Sequence, residues 1–283
     1  MKKVLVTGIS GYVGVNFKKW VQDNNIDVEL VYMSIKNDQW KFEEFSQYDA
    51  ILHLAAIVHS SNVKKRDYYR INSDLTFEIA KKAKESGVRH FIFFSTLSVY
   101  GLEEGNIDRY TKTNPINDYG KSKLDAENRI LSIQNEDSFK IAIVRSPLIY
   151  GSNAPGNFKK LLFIINVSPI FFKFKNRKSM IFIDNLSSFL YTLIANENNG
   201  IFIPQNEEYI NTTTIYENIR AGQNKKTILI PIPLWLMKKL KNKSKLVTKI
   251  FGDLTVDNDY LNLPNEYKKL SFSETLNKIY KNK

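Results

Sequence analysis

Short apolar runs that stop at glycine or a polar cluster alternate along this chain with longer segments apolar on one side only. KKVLVTG (2–8), DVELVY (27–32), DAILHLAA (49–56) and KIAIVRSPLIYG (140–151) are runs of the first kind and predict buried strands. RHFIFFSTLSVYG (89–101) predicts a strand with a loop at its end. Helices are predicted from about 13 to 22, over 73–87 and over 119–134. Asn72 or Ser73 is expected to cap the second of these and Gly87 to stop it; Asn117 or Asp118 is expected to cap the third. Strand-helix alternation of this kind predicts an α/β fold with a doubly wound parallel sheet. Ligands of such sheets collect at the carboxyl ends of the strands.

After Gly151 the rhythm weakens. NFKKLLFIINVS reads as a helix, KSMIFI as a short strand, and 184–198 as a helix stopped near Gly200. The rest carries Pro204, Pro231, Pro233 and Pro264 among short apolar pieces. The expected organisation is a Rossmann-type domain over 1–150, with 184–203 packing back onto it. A smaller lobe is expected from 151–183 and 204–283.

The chain has 283 residues, 43 % of them hydrophobic and 25 % charged, which is ordinary for a globular protein with a sizeable core. It has no cysteine, which excludes disulfides and thiolate chemistry and fits a cytoplasmic setting. The opening apolar run ends at Gly8, too early for a signal peptide. No apolar run approaches the roughly 18 residues of a membrane span. The three histidines lack metal-ligand spacing, so no metal is expected; His53 reads as a buried strand residue, His59 and His90 as loop and strand-edge residues. The net charge is +12, with one visible lysine cluster at 238–249. No nucleic-acid motif accompanies it, so no nucleic-acid partner is expected. Residues 233–251 mix Trp and Leu with lysines, which reads first as a lobe helix with its apolar side on the core and second as an interfacial helix that associates weakly with a membrane surface.

The first strand runs into TGISGYVG, with Gly8, Gly11 and Gly14 spaced G-x-x-G-x-x-G. Such a loop turns sharply, lets backbone approach a pyrophosphate and opens a helix whose free N–H groups face the anion. The acidic residue that usually ends the second strand and binds the adenosine ribose is missing. Tyr32, Met33 and Ser34 stand there, Asp27 and Glu29 come too early, and Lys36 is the nearby cation. NAD is expected as cofactor, with NADP still open.

FFSTLSVYG places Ser95, Thr96 and Ser98 at the carboxyl end of a central strand. Tyr119 follows, and Lys123 comes four residues later, on the same helix face. Cations in the first turns of a helix oppose its dipole, so Lys121 and Lys123 are poor helix starters. For Lys123 there is a chemical reason. An ammonium beside a phenol lowers its pKa from about 10, making it an acid or base usable near neutrality. Lys121 reads as a solvated lysine.

In order, TGISGYVG, HLAA (53–56), Asn72, STLSVYG, YGKSK, VRSPLIYG and RKSMIFIDNL (177–186) resemble the extended short-chain dehydrogenase/reductase family, in its nucleotide-sugar epimerase, reductase and dehydratase group. The resemblance covers about residues 1–200. It implies Thr96, Tyr119 and Lys123 as catalytic residues. It implies a cofactor site of Gly8, Gly11, Tyr12, Val13, Gly14, Leu54, Ala55, Ala56, Asn72 and Ser95 with Tyr119 and Lys123. Substrate contacts are implied at Ser98, Asn157, Arg177 and Lys178. It further implies a nucleotide-sugar substrate and a homodimer through the helices at 73–87 and 119–134. Dehydratases of the group carry Asp-Glu directly after the strand-end threonine, and Leu97 and Ser98 stand there instead, which argues against dehydration. A UDP-hexose or UDP-N-acetylhexosamine 4-epimerase of surface-polysaccharide synthesis is expected first. A 4-ketoreductase comes second, and a non-catalytic cofactor-sensing or RNA-binding scaffold third.

Overall fold

The computed structural model describes residues 1–58, 63–260, 267 and 269–281. His59 and Pro264 lie outside the described residues. The first half contains β1 (Lys2–Thr7), α1 (Tyr12–Asp23), β2 (Val28–Met33), β3 (Ala50–His53), α2 (Lys65–Tyr69), α3 (Leu75–Glu85), β4 (His90–Thr96), β5 (Gly105–Ile107), α4 (Asp118–Leu131) and β6 (Lys140–Ser146). The second half contains β7 (Leu148–Tyr150), α5 (Asn157–Val167), β8 (Ile170–Lys173), β9 (Met180–Phe182), α6 (Ile183–Asn196), β10 (Gly200–Phe202), α7 (Thr212–Gly222), β11 (Ile228–Pro231), α8 (Leu234–Lys243), α9 (Lys245–Phe251), β12 (Leu254–Val256) and α10 (Phe272–Lys281).

Among the described residues six strands form one parallel sheet in the order β10-β6-β4-β3-β1-β2. The α/β fold and doubly wound sheet expected from the alternation are therefore present. The order reverses beside β1, and in such sheets a ligand-binding crevice opens at the reversal. Thr7 is level with His53 and Met33, and Thr96 with Ser146, so the loops after these strands share one edge. The central strands are buried on both faces, as their unbroken apolar composition requires. Helix α6 packs against α1, and β10 joins the sheet edge beside β6. One apolar cluster runs from Val4 of β1 through Phe189 of α6 to Ile279 of α10, so the two halves of the chain share a core.

Several elements differ from the sequence reading. The strand expected over 140–151 is two strands: Pro147 ends β6, and β7 pairs with β9 in a separate two-stranded sheet. The helix expected to start at a 72/73 cap starts at Lys65 and passes through a π-helical turn, Arg70–Asp74, into α3. Asn72 and Ser73 sit inside that turn and are fully buried, so neither caps. The single helix expected within 233–251 is α8 and α9, broken at Ser244, which caps α9 by accepting from the Val247 amide. Met237, Ile250 and Phe251 turn into the core.

Candidate active site

The glycine turn is built by contact. Gly8 has φ +81°, and a Cβ there would lie 2.7 Å from the Ala55 nitrogen and 2.8 Å from the Leu54 carbonyl carbon. Only glycine lets β1 leave the sheet this close to the segment after β3. The Gly11 amide donates to the Gly8 carbonyl at 3.0 Å, and α1 then starts with no side-chain cap. Gly14 is buried on its inner side, and Val13 packs against the core. The uncapped first turn aims its amides and the positive end of its dipole out of the sheet edge. The cradle that a Cβ would fill, and these free donors, fit a dinucleotide pyrophosphate. The Tyr12 hydroxyl points elsewhere: it donates to the Ser152 carbonyl at 3.0 Å and ties the turn to the loop after β7.

Residues 54–56 line the other side. The Leu54 amide donates to the Thr7 carbonyl at 3.3 Å and the Ala55 amide to Thr7 Oγ1 at 3.4 Å. Asn72 is fully buried and spends its side chain on this segment. Its Oδ1 accepts from the Ile57 amide at 2.8 Å, and its Nδ2 donates to the Ile57 carbonyl at 3.0 Å and to Ser122 Oγ at 3.1 Å. Its side chain therefore holds the loop after β3 against α4; the cofactor contact expected of Asn72 is at most indirect. His53 is a core residue: its ring nitrogens lie 3.0 Å from Thr7 Oγ1 and 3.0 Å from Thr76 Oγ1, and burial pushes its pKa down to about 3.

Thr96 ends β4, and its Oγ1 accepts from the Ser98 amide at 3.1 Å, capping the tight turn Leu97–Tyr100. It also donates to Ser98 Oγ at 3.2 Å. Helix α4 comes close to this turn because residue 120 is glycine: a Cβ there would lie 2.6 Å from the Ser98 carbonyl oxygen. Asn117 caps the helix, accepting from the Gly120 amide at 2.8 Å. Tyr119 is thereby set against Thr96, and its ring meets Tyr68 edge-on at 6.4 Å. Leu97 turns away into an apolar cluster with Val99 and Tyr100, so no proton-transferring group stands next to Thr96 on that side.

The electrostatics correct one expectation. Lys123 does not lower Tyr119. Burial pushes the Tyr119 phenol up to about 12, the neighbouring Thr96 side chain draws it back in part, and Tyr68 adds to the rise. The Lys123 ammonium instead donates to the Phe94 carbonyl at 2.7 Å and lies 4.3 Å over the Phe93 ring. Burial brings Lys123 down to about 7, opposed by the charge of Glu127.

Glu127 is the residue the sequence reading missed. It follows Lys123 by four residues on α4, so Tyr119, Lys123 and Glu127 form one stripe. Arg145 of β6 forks onto its carboxylate, Nη2 to Oε2 at 2.7 Å and Nε to Oε2 at 3.1 Å, with the pair almost wholly buried. Arg145 Nη1 donates to the Tyr100 hydroxyl at 2.8 Å, and that hydroxyl is 2.9 Å from the Tyr260 hydroxyl. Ser95 donates to the same carboxylate. Ser95 therefore faces α4, opposite to Thr96 on the strand, and its hydroxyl is committed away from the cofactor contact expected of it. The repeating interval of four from Tyr119 was the available signal.

The substrate-side residues lie apart from this stripe. Asn157 opens α5. Arg177 is exposed and stacks its guanidinium 4.4 Å over the Tyr209 ring. Lys178 is buried, brought down to about 8 by burial, with Asp253 and Glu104 opposing and Lys241 adding. At the end of β2 stand Tyr32, Met33 and Ser34 with no carboxylate; Glu29, nearer the other end, pairs with Lys3 at 3.7 Å.

Residues 4–167 match the model of the NAD dependent epimerase/dehydratase family. The chain belongs to that family. It is an NAD(P)-dependent enzyme of the extended short-chain dehydrogenase/reductase type. Over 90 % of its length it is 28 % identical to UDP-glucose 4-epimerase of Vibrio cholerae, covering 87 % of that protein. Over 83 % it is 26 % identical to the N-acetyl-alpha-D-glucosaminyl-diphospho-ditrans,octacis-undecaprenol 4-epimerase of Escherichia coli O157:H7, covering 77 % of it. In fold it resembles the UDP-N-acetylglucosamine 4-epimerase of Bacillus cereus (TM-score 0.76, 17 % identity, 99 % and 98 % of the two chains). It resembles equally a dTDP-4-dehydrorhamnose reductase of Clostridium acetobutylicum (TM-score 0.76, 19 % identity, 99 % and 98 %). Among the described residues no helix is long and apolar enough to cross a membrane.

Proposed function

We propose that this enzyme is a 4-epimerase of a sugar linked to a nucleoside diphosphate, a UDP-hexose or UDP-N-acetylhexosamine, serving surface-polysaccharide synthesis in the cytoplasm. Similarity to two 4-epimerases along most of the chain is the observation that carries the reading. The two reductase-like and epimerase-like folds support both chemistries equally. The apolar environment of Leu97 argues against dehydration, which needs an acid and a base beside Thr96.

Gly8, Gly11 and Gly14 with the first turn of α1 hold the pyrophosphate of the cofactor, NAD in this reading. Bound there, the nicotinamide takes up and returns a hydride. Tyr119 accepts the proton of the sugar 4-hydroxyl as C4 is oxidised, and gives it back when the opposite face of the 4-keto sugar is reduced. Thr96 holds the reacting oxygen through its hydroxyl. Lys123 supplies positive charge beneath the site, and Ser98, Asn157, Arg177 and Lys178 bind the sugar diphosphate. The phenol of Tyr119 is held protonated at neutral pH in the free fold, so its base role requires that binding of the positively charged, oxidised nicotinamide lower its pKa. A homodimer through α3 and α4 completes the reading.

The test is NMR of UDP-N-acetylglucosamine or UDP-glucose incubated with enzyme and catalytic NAD⁺. Appearance of the C4 epimer without net cofactor reduction supports it. Turnover only of a 4-keto sugar with stoichiometric NADPH consumption overturns it in favour of a 4-ketoreductase.

A further inference from the structure

Two segments far apart in sequence carry all of the chain's net charge. Residues 157–175 hold Lys159, Lys160, Lys173 and Lys175; residues 225–249 hold eight lysines; neither contains an Asp or Glu, and together their +12 equals that of the whole chain. The fold joins them. Strand β8 of the first pairs in register with β11 of the second, and α5 packs against α9.

The joined surface is also apolar. On the inner face of the two-stranded sheet, Phe171 stacks on Tyr216 at 4.3 Å and meets Phe251 at 5.1 Å. On the outer face the register sets Ile170 beside Ile228 and Phe172 beside Ile230, and all four are exposed. The exposed strip continues onto α5, where Phe163 (66 % exposed) and Val167 stand one turn apart. It continues also to the start of α8, where Leu234 and Trp235 (67 % exposed) stand together. Lysines frame it: Lys225 and Lys226 lead into β11, Lys173 ends β8, Lys159 lies one turn before Phe163, and Lys238 and Lys239 one turn after Trp235.

We propose that this face docks the enzyme peripherally on an anionic phospholipid bilayer. Aliphatic and Trp side chains enter the acyl boundary while the lysines meet the headgroups, each adding attraction near an anionic surface. The surface replaces the single amphipathic helix expected at 233–251, because Met237, Ile250 and Phe251 of that segment turn into the core. A second copy of the chain is the poorer occupant: an isologous contact would set lysines against lysines, and among the described residues only Lys241 of the twelve has a carboxylate paired to it, Glu104. A single-stranded nucleic acid is poorer too, since it stacks its bases on aromatic platforms and the strip is mainly aliphatic. The proposal is independent of which sugar reaction the site performs.

The experiment is co-sedimentation of the full chain with vesicles of phosphatidylglycerol and phosphatidylcholine, and with phosphatidylcholine alone. Binding is expected to the mixed vesicles at low salt and to be lost with pure phosphatidylcholine or at high salt. The double variant Lys225→Glu/Lys226→Glu should weaken binding roughly thirtyfold or more. Trp235→Ser should weaken it roughly tenfold. Both should keep turnover of a soluble substrate, which reports that they fold. No binding to mixed vesicles overturns the proposal. So does sedimentation velocity showing a dimer that Trp235→Ser dissociates, or tighter binding to oligonucleotide than to vesicles.

Discussion

The stripe on α4 and the lysine face of β8 and β11 use charge in opposite ways. In the stripe Tyr119, Lys123 and Glu127 are each held by one or two neighbours: burial and Thr96 set the protonation of Tyr119, burial and Glu127 that of Lys123, and Arg145 forks onto the buried Glu127 carboxylate. On the outer face the lysines are mostly exposed, and the nearby sequence offers them no carboxylate. Buried charges act singly, because removing one partner leaves the other uncompensated in a poor solvent. Exposed charges act by number and are screened by salt. Substitutions in the first region should therefore have large, site-specific effects. In the second they should be small singly and cumulative.

The largest effect is expected at Tyr119. Tyr119→Phe removes the proposed proton acceptor and keeps the ring against Tyr68, so turnover should fall roughly thousandfold. Cofactor affinity by fluorescence titration should be unchanged. A variant that retains most of its turnover would remove Tyr119 from the chemistry.

Next comes Glu127→Gln. The amide keeps an acceptor for Ser95 but leaves Arg145 without its counter-charge, costing about 3 kcal/mol in denaturant unfolding. Without Glu127 the Lys123 ammonium loses the charge that opposes burial, so its pKa falls further. If Lys123 works as the cation beneath Tyr119, the alkaline limb of the kcat profile moves to lower pH. A loss of stability with an unmoved limb would make Glu127 a core ion pair and nothing more.

This pair also marks where the sequence stops being readable. The glycine turn was legible because its requirement is local: Gly8 must take a left-handed φ and lie against Ala55, and the spacing after a strand says so. Thr96, Tyr119 and Lys123 were legible from strand end and helix interval. Arg145 was not, because nothing on β6 distinguishes an arginine that will face α4. The π-helical turn at Arg70–Asp74 was hidden for a similar reason. Asn72 and Ser73 look like caps, and only the demand of Ile57 and Ser122 on the Asn72 amide draws that residue inward. The lysine face was hidden by distance along the chain: its halves are separated by the whole of β9, α6, β10 and α7, and only the β8–β11 pairing reveals their sum.

A smaller effect is expected on acidification. Burial holds His53 near 3 and His90 near 4, against about 6.5 in the unfolded chain. Between those values the unfolded state binds protons that the folded state does not, so stability falls as pH falls below about 6.5. From pH 6.5 to 5 each histidine costs on the order of 2 kcal/mol. Urea unfolding at pH 7 and pH 5 measures this: half the expected loss would mean that one ring is protonated in the fold, and equal midpoints that both are. The buried Lys123 works with the same sign in another window. Its folded value of about 7 lies below the usual lysine range, so its contribution to stability rises as pH climbs from 7 toward about 10.5.

The smallest effect separates two lysines two residues apart. Lys121 and Lys123 both oppose the dipole at the start of α4, yet Lys123 is buried in the stripe and Lys121 is exposed. Lys121 thus behaves like a lysine of the outer face placed on the helix that carries the stripe. Lys121→Glu puts a favourable charge in the first turn and should raise stability by about 0.5 kcal/mol, with kcat and KM unchanged. The gain should shrink as salt is added, because it is an exposed electrostatic term. A fall in kcat instead would move Lys121 to the catalytic side of the comparison, and the first turn of α4 would then carry two working cations.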